Sequence, residues 1–171
     1  MDEKSIVLIG FMGVGKTTIG RELAKKLNRK FIDIDSVIEK EFNMPTTEIF
    51  KIYGEKTFRA KEREMIEYYT KEKHLVISIG GGAFLQKEVK DVCLSRSIVV
   101  FLDISWDIWK ERIVYLTRTR PNLQGKSINE IHDLFIERQP IYQDHHLKVN
   151  TDDLNVDESA YKIINDLSKL V

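Results

Sequence analysis

From Gly10 to Thr17 the chain reads G-F-M-G-V-G-K-T, a match to G-x-x-x-x-G-K-[ST] placed after an apolar run and before a helix-length segment. That spacing outlines a phosphate cradle. The glycines let the backbone turn its amides inward as an anion nest, and the following helix N-terminus adds partial positive charge. Lys16 reaches the β- and γ-phosphates of a nucleotide, and the Thr17 hydroxyl ligates Mg²⁺. The alternative is a glycine-rich turn with a stray lysine, and chance produces the pattern in on the order of one percent of chains this long. Candidate nucleotide contacts are Gly13, Val14, Gly15, Lys16, Thr17 and Thr18.

Three other sets have suitable chemistry for whatever accepts the phosphoryl group. Asp33 and Asp35 stand two apart in F-I-D-I-D, and strand alternation would place them on one face, where they repel unless cations or hydroxyl donors compensate. Solvated turn residues or a helix cap are the alternatives for that pair. G-E-K-T-F-R, from Gly54 to Arg59, offers a guanidinium, although a core phenylalanine beside a surface arginine is the commoner arrangement. Gly80, Gly81 and Gly82 form a run without side chains, which costs backbone entropy and suits close approach to a ligand or a tight turn.

The elements that must position these groups are short β-branched runs: 5–9, 30–34, 75–79, 97–104 and a weaker 146–150. Continuous apolar character predicts strands buried on both faces, and helix-length segments between them predict a parallel sheet in an α/β fold. Helices are predicted over Lys16–Leu27, Glu55–Lys73 and Val156–Leu170. Thr46 or Thr47 offers a cap for a short helix within 43–54. The basic stretch 115–127, broken by Pro121 and Gly125, resists assignment. In such a sheet the phosphate loop, the acid pair and the triple glycine share the carboxyl edge, where ligands bind.

Composition narrows the classes. The 171 residues suit one domain. Lysine plus arginine and aspartate plus glutamate each number 27, so no global field argues for nucleic acid or a membrane. Cys93 is the single cysteine, which excludes an internal disulfide and a cysteine-rich zinc site and fits a packing role in a reducing cytoplasm. Asp2 and Glu3 spoil a signal-peptide n-region, and no run is long enough to span a bilayer. The expectation is a cytoplasmic protein, monomeric by default. Trp106, Trp109, His132, His145 and His146 are read as packing residues.

In this order and with these gaps, G-F-M-G-V-G-K-T-T-I-G-R (10–21), D-I-D, G-E-K-T-F-R, G-G-G, R-P-N-L (120–123) and E-R-Q-P-I-Y (137–142) closely resemble the shikimate kinase family, from about Ile6 to Tyr142. The resemblance implies a P-loop kinase fold, a single domain over 1–171 with a five-stranded parallel sheet in the order 2-3-1-4-5. It also implies a substrate-binding helical region at 35–62 and a lid at 114–126. The implied substrates are ATP with Mg²⁺ and shikimate, a cyclohexene carboxylate whose 3-hydroxyl is phosphorylated. Arg59 and Arg138 would bind the carboxylate, Gly80, Gly81 and Gly82 would lie against the ring, and Asp35 would serve the hydroxyls. Thr17 and Asp33 would serve the metal. Lys16, Asp35 and the lid's Arg120 would be catalytic, Arg120 also touching the nucleotide; without the resemblance the lid reads as a solvated loop. At V-N-T-D-D-L-N-V (149–156) the match thins, because family members tend to carry aspartate at the Asn150 position, and adenine contacts near Thr151 to Asn155 stay unassigned. Arg118 has no assigned role. A kinase for another small hydroxy acid, such as gluconate, and a catalytically silent nucleotide-binding relative are the alternatives.

Overall fold

The computed structural model describes residues 2–112 and 125–170. The lid's 114–124, with Arg118 and Arg120, lie outside the described residues. In chain order the elements are β1 (Ile6–Ile9), α1 (Lys16–Leu27), β2 (Lys30–Asp33), α2 (Ile34–Phe42), α3 (Thr46–Tyr69), β3 (Leu75–Ser78), α4 (Lys87–Arg96), β4 (Ile98–Asp103), α5 (Trp106–Lys110), α6 (Ile128–Arg138), β5 (Leu147–Asn150) and α7 (Val156–Ser168).

The strands form one parallel sheet in the order β2-β3-β1-β4-β5, flanked by helices, the P-loop kinase architecture expected. Burial follows position in the sheet. Every residue of β1 and β3 is buried, whereas the edge strand β5 buries only Val149. This is why its sequence signal is weak: an edge strand needs fewer apolar residues than a strand covered on both sides. Cys93 is fully buried in the shared core, and that burial pushes its thiol up to about 12.

Among the boundaries that differ from the sequence reading, three have a clear local reason. β2 stops at Asp33 because the Asp33 side chain caps α2, accepting from the Asp35 N–H at 3.1 Å. Asp35 therefore sits in the first helical turn, not on the same strand face as Asp33. Neither Thr46 nor Thr47 caps α3; the Glu39 carboxylate, reaching back from α2, accepts the Thr46 N–H at 2.8 Å. The helix predicted from Glu55 also extends upstream to Thr46 and ends at Tyr69, with a break at Gly54, whose φ of 85° and ψ of 164° only glycine adopts without strain. α2 packs against α3 on both sides of that break, with Phe42 and Tyr53 ring centres 5.1 Å apart and Lys61 Nζ 2.6 Å from Glu41 Oε1.

Candidate active site

Because β2, β3 and β1 are neighbours, the loops leaving their carboxyl ends are neighbours too. They enclose a cleft of about 410 Å³ lined by Lys16, Thr17, Asp33, Asp35, Gly80 and Gly81, among others. Gly13 and Gly15 hold φ of 79° and 103°, which bends the phosphate loop around its own amides. Ser105, Ser127 and Asn155 cap α5, α6 and α7 with side-chain oxygens, but no side chain caps α1 and its first turn holds no acid. The first residues of α1 thus line the cleft with no side-chain cap on their amides. Lys16 lies over the loop and donates from Nζ to the Gly10 carbonyl at 2.6 Å and the Phe11 carbonyl at 3.1 Å. Thr17 Oγ1 donates to Asp33 Oδ2 at 3.0 Å, so the two residues read as metal ligands stand side by side.

A smaller recess opens off this cleft and shares Met12, Asp35, Thr46, Gly80 and Gly81 with it. The triple glycine is its floor. A methyl group on Gly80 would lie 3.3 Å from Asp35 Oδ1, and one on Gly82 would lie 2.6 Å from Arg59 Nη2 and 2.7 Å from Arg138 Nη1. Acids at one end, Asp35 with Glu62 beside it, and two guanidinium groups at the other are therefore spread along a strip three residues long. Arg138 is buried, and its Nη1 makes no hydrogen bond among the described residues. Gly82 has an ordinary φ of −100°, so Gly82→Ala should leave the backbone unstrained and push the arginine heads aside. We expect a rise of about tenfold in the KM for the acceptor acid with ADP affinity unchanged, read by steady-state kinetics and calorimetry; an unchanged KM would show that the arginines do not hold the acid.

Two residues, one lining the recess and one bonded to its glycine strip, escaped the sequence reading. Glu62 is fully buried and accepts from Arg59 Nη1 at 2.9 Å and from Gln86 Nε2 at 3.1 Å. Burial pushes its carboxyl up to about 7 from the usual 4.5, against the pull of Arg59 and with repulsion from Asp35 added. Burial works to lower the Arg59 guanidinium, but Glu62 and Glu55 outweigh it and hold the group above its ordinary value. The second is Tyr142, buried, whose hydroxyl donates to the Gly81 carbonyl at 2.6 Å and pins the glycine strip. The i, i+3 spacing of Arg59 and Glu62 was the available signal for the first, and the terminal tyrosine of E-R-Q-P-I-Y for the second.

Glu62 gives a pH prediction. Folded, it keeps its proton to about pH 7; unfolded, only to about 4.5. Between those values the folded state binds more protons, so stability should fall as pH rises through the window and level off above it. Glu62→Gln should flatten that limb in urea unfolding followed from pH 4.5 to 7.5; an unaltered slope would mean that another group carries it.

The remaining candidates have structural partners. Asn155 and Glu158 form a reciprocal cap on α7, and Asp152 Oδ1 accepts the Ser105 N–H at 2.8 Å. His146 Nδ1 accepts the Val99 N–H at 2.9 Å, and His132 stacks on Trp106 with ring centres 4.4 Å apart. Among the described residues no three histidine, cysteine or acidic side chains cluster as a metal site, and no helix is long and apolar enough to cross a membrane.

Comparison with known proteins points the same way. The family described as shikimate kinase matches residues 12–168. The shikimate kinase of Oceanobacillus iheyensis is 55% identical over 165 residues, covering 96% of this chain and 90% of its own. That of Bacillus subtilis is 49% identical over 166 residues, covering 96% and 89%. The structure of shikimate kinase from Acinetobacter baumannii in complex with shikimate superposes with a TM-score of 0.91 at 34% identity, over 97% of this chain and 93% of that one.

Proposed function

The chain belongs to the shikimate kinase family, and on that premise we propose that it transfers the γ-phosphoryl of ATP to the 3-hydroxyl of shikimate, giving ADP and shikimate 3-phosphate. The product serves aromatic amino acid biosynthesis. The observation that carries the reading is the strip from Gly80 to Gly82, with Asp35 at one end and Arg59 and Arg138 at the other, opening onto the phosphate cleft. It suits a small ring that carries a carboxylate and hydroxyls. Planar guanidinium forks bind a carboxylate bidentately, and Asp35 accepts hydrogen bonds from ring hydroxyls.

In the reaction the substrate hydroxyl oxygen attacks the γ-phosphorus, the bond from that phosphorus to the β–γ bridging oxygen breaks, and Asp35 takes the hydroxyl proton. Lys16 and the first amides of α1 stabilise the charge on the phosphoryl oxygens and on departing ADP. The Thr17 hydroxyl and Asp33 carboxylate supply the oxygen donors that suit Mg²⁺, which takes few protein ligands and keeps water and phosphate in its shell. When bound, that ion neutralises phosphate charge. Arg120 completes the nucleotide end of the reading from outside the described residues. All these groups belong to one chain, so the reading needs no second subunit.

Substrate choice is tested by offering shikimate and gluconate side by side with MgATP. The two-arginine recess predicts turnover on shikimate with gluconate far behind, and a preference for gluconate would overturn the assignment of the acceptor.

A further inference from the structure

The tryptophan pair that reads as packing does more than fill space. Trp109 is fully buried on the short helix α5, and its Nε1–H donates to the carbonyl of Met12 at 2.8 Å. Met12 lies inside the phosphate loop. The Phe11 ring, also in the loop, meets Trp109 edge-on with centres 5.1 Å apart, and the Trp106 ring stacks on Trp109 at 5.3 Å.

Carbonyl oxygens that face bound phosphates would repel them, so a phosphate loop must turn its carbonyls away. Here the Gly10 and Phe11 carbonyls are held by Lys16 Nζ, with Val14 N–H also donating to Phe11 at 3.2 Å. The Met12 carbonyl is held by a donor from outside the loop, Trp109. A trans peptide unit is planar and its C=O and N–H point in opposite directions; no cis bond occurs among the described residues. Fixing the Met12 carbonyl on the indole therefore fixes the Gly13 N–H in the opposite sense, and Gly13 lines the cleft.

We infer that Trp109 is a positioning residue for nucleotide binding, aiming the Gly13 amide at the terminal phosphates by clamping the Met12–Gly13 peptide through its indole N–H. The inference rests on the reading of the loop as the ATP site. Phenylalanine keeps most of the ring packing and removes the donor, so Trp109→Phe isolates the hydrogen bond.

Calorimetric titration of ADP, AMP and shikimate into both proteins tests it. Loss of the clamp should weaken ADP about three- to tenfold, leaving AMP, which lacks the β-phosphate, and shikimate within about twofold of wild type. Unchanged ADP affinity, or equal weakening of all three ligands, would overturn the inference and leave Trp109 as packing alone. Should Trp109→Phe fail to fold, indole N–H exchange in the wild-type protein decides, with the two tryptophan signals assigned using Trp106→Phe. Coupling is reciprocal, so ADP must slow exchange of the Trp109 proton, and indifference to ADP contradicts the clamp. A wild-type protein that neither binds ADP nor turns over shikimate would overturn the nucleotide-site reading as well.

Discussion

Asp35→Asn is expected to lower kcat by about 10²–10⁴-fold, the usual contribution of a positioned general base, while ADP affinity stays within about twofold. The substitution is nearly isosteric, and the features that place residue 35 survive it. Its backbone N–H is held by Asp33 Oδ1, and its side chain starts in the first turn of α2. An acid there gains from the helix dipole by about 0.3–1 kcal/mol, so the stability cost of the amide is small beside the catalytic one. On the proposed mechanism, what disappears is the group that takes the proton of the attacking hydroxyl at the acid end of the glycine strip. Steady-state kinetics with calorimetry for ADP separates the two effects, and a variant that turns over at the wild-type rate would remove Asp35 from the chemistry.

Lys16→Met should cost about 10²–10³-fold in kcat, the range found when one preorganised charge-stabilising donor is removed. Methionine keeps much of the lysine's length and apolar stem at a position that is itself only 8% exposed. It cannot donate to the Gly10 and Phe11 carbonyls, which Lys16 holds at 2.6 and 3.1 Å, so the loop loses order as well as charge. Shikimate affinity should not change, because the recess lined by Arg59 and the glycine strip does not include Lys16. A rise in the KM for ATP with kcat intact would mean that the lysine contributes equally to ground and transition states, contrary to the role assigned.

How much was legible in the chain depends on whether the cause is local. The phosphate loop is a contiguous pattern, and the buried strands are runs that need no distant information. Burial on both faces wrote β1, β3 and β4 plainly and edge exposure wrote β5 faintly. The acid pair was half legible. F-I-D-I-D marks the strand end, but alternation puts both carboxylates on one face, and the cap made by Asp33 overrides it by starting a helix one residue later. What separates Asp33 from Asp35 is thus a helix boundary, with Asp33 beside Thr17 and Asp35 beside the glycine strip.

The parts that were not legible depend on contacts across the sheet edge. Glu62 reads as one more charge on a highly charged helix; its spacing to Arg59 is local, but the complete burial that raises its pKa and the bond from Gln86 come from contacts distant in the chain. Trp109 and Met12 are 97 residues apart, and no spacing rule relates them. The convergence of Arg59 and Arg138 on Gly82 likewise comes from side chains of α3 and α6 reaching one loop. The family resemblance pointed to those two arginines, but no pattern within the chain alone joins them.

The most direct measurement is ADP release by the purified chain with MgATP, with and without shikimate, and with the product examined by phosphorus NMR. One ADP per shikimate 3-phosphate formed, with release dependent on shikimate, is the expected result. Absence of shikimate-dependent ADP release, or phosphate appearing free in solution in place of the ester, would contradict it.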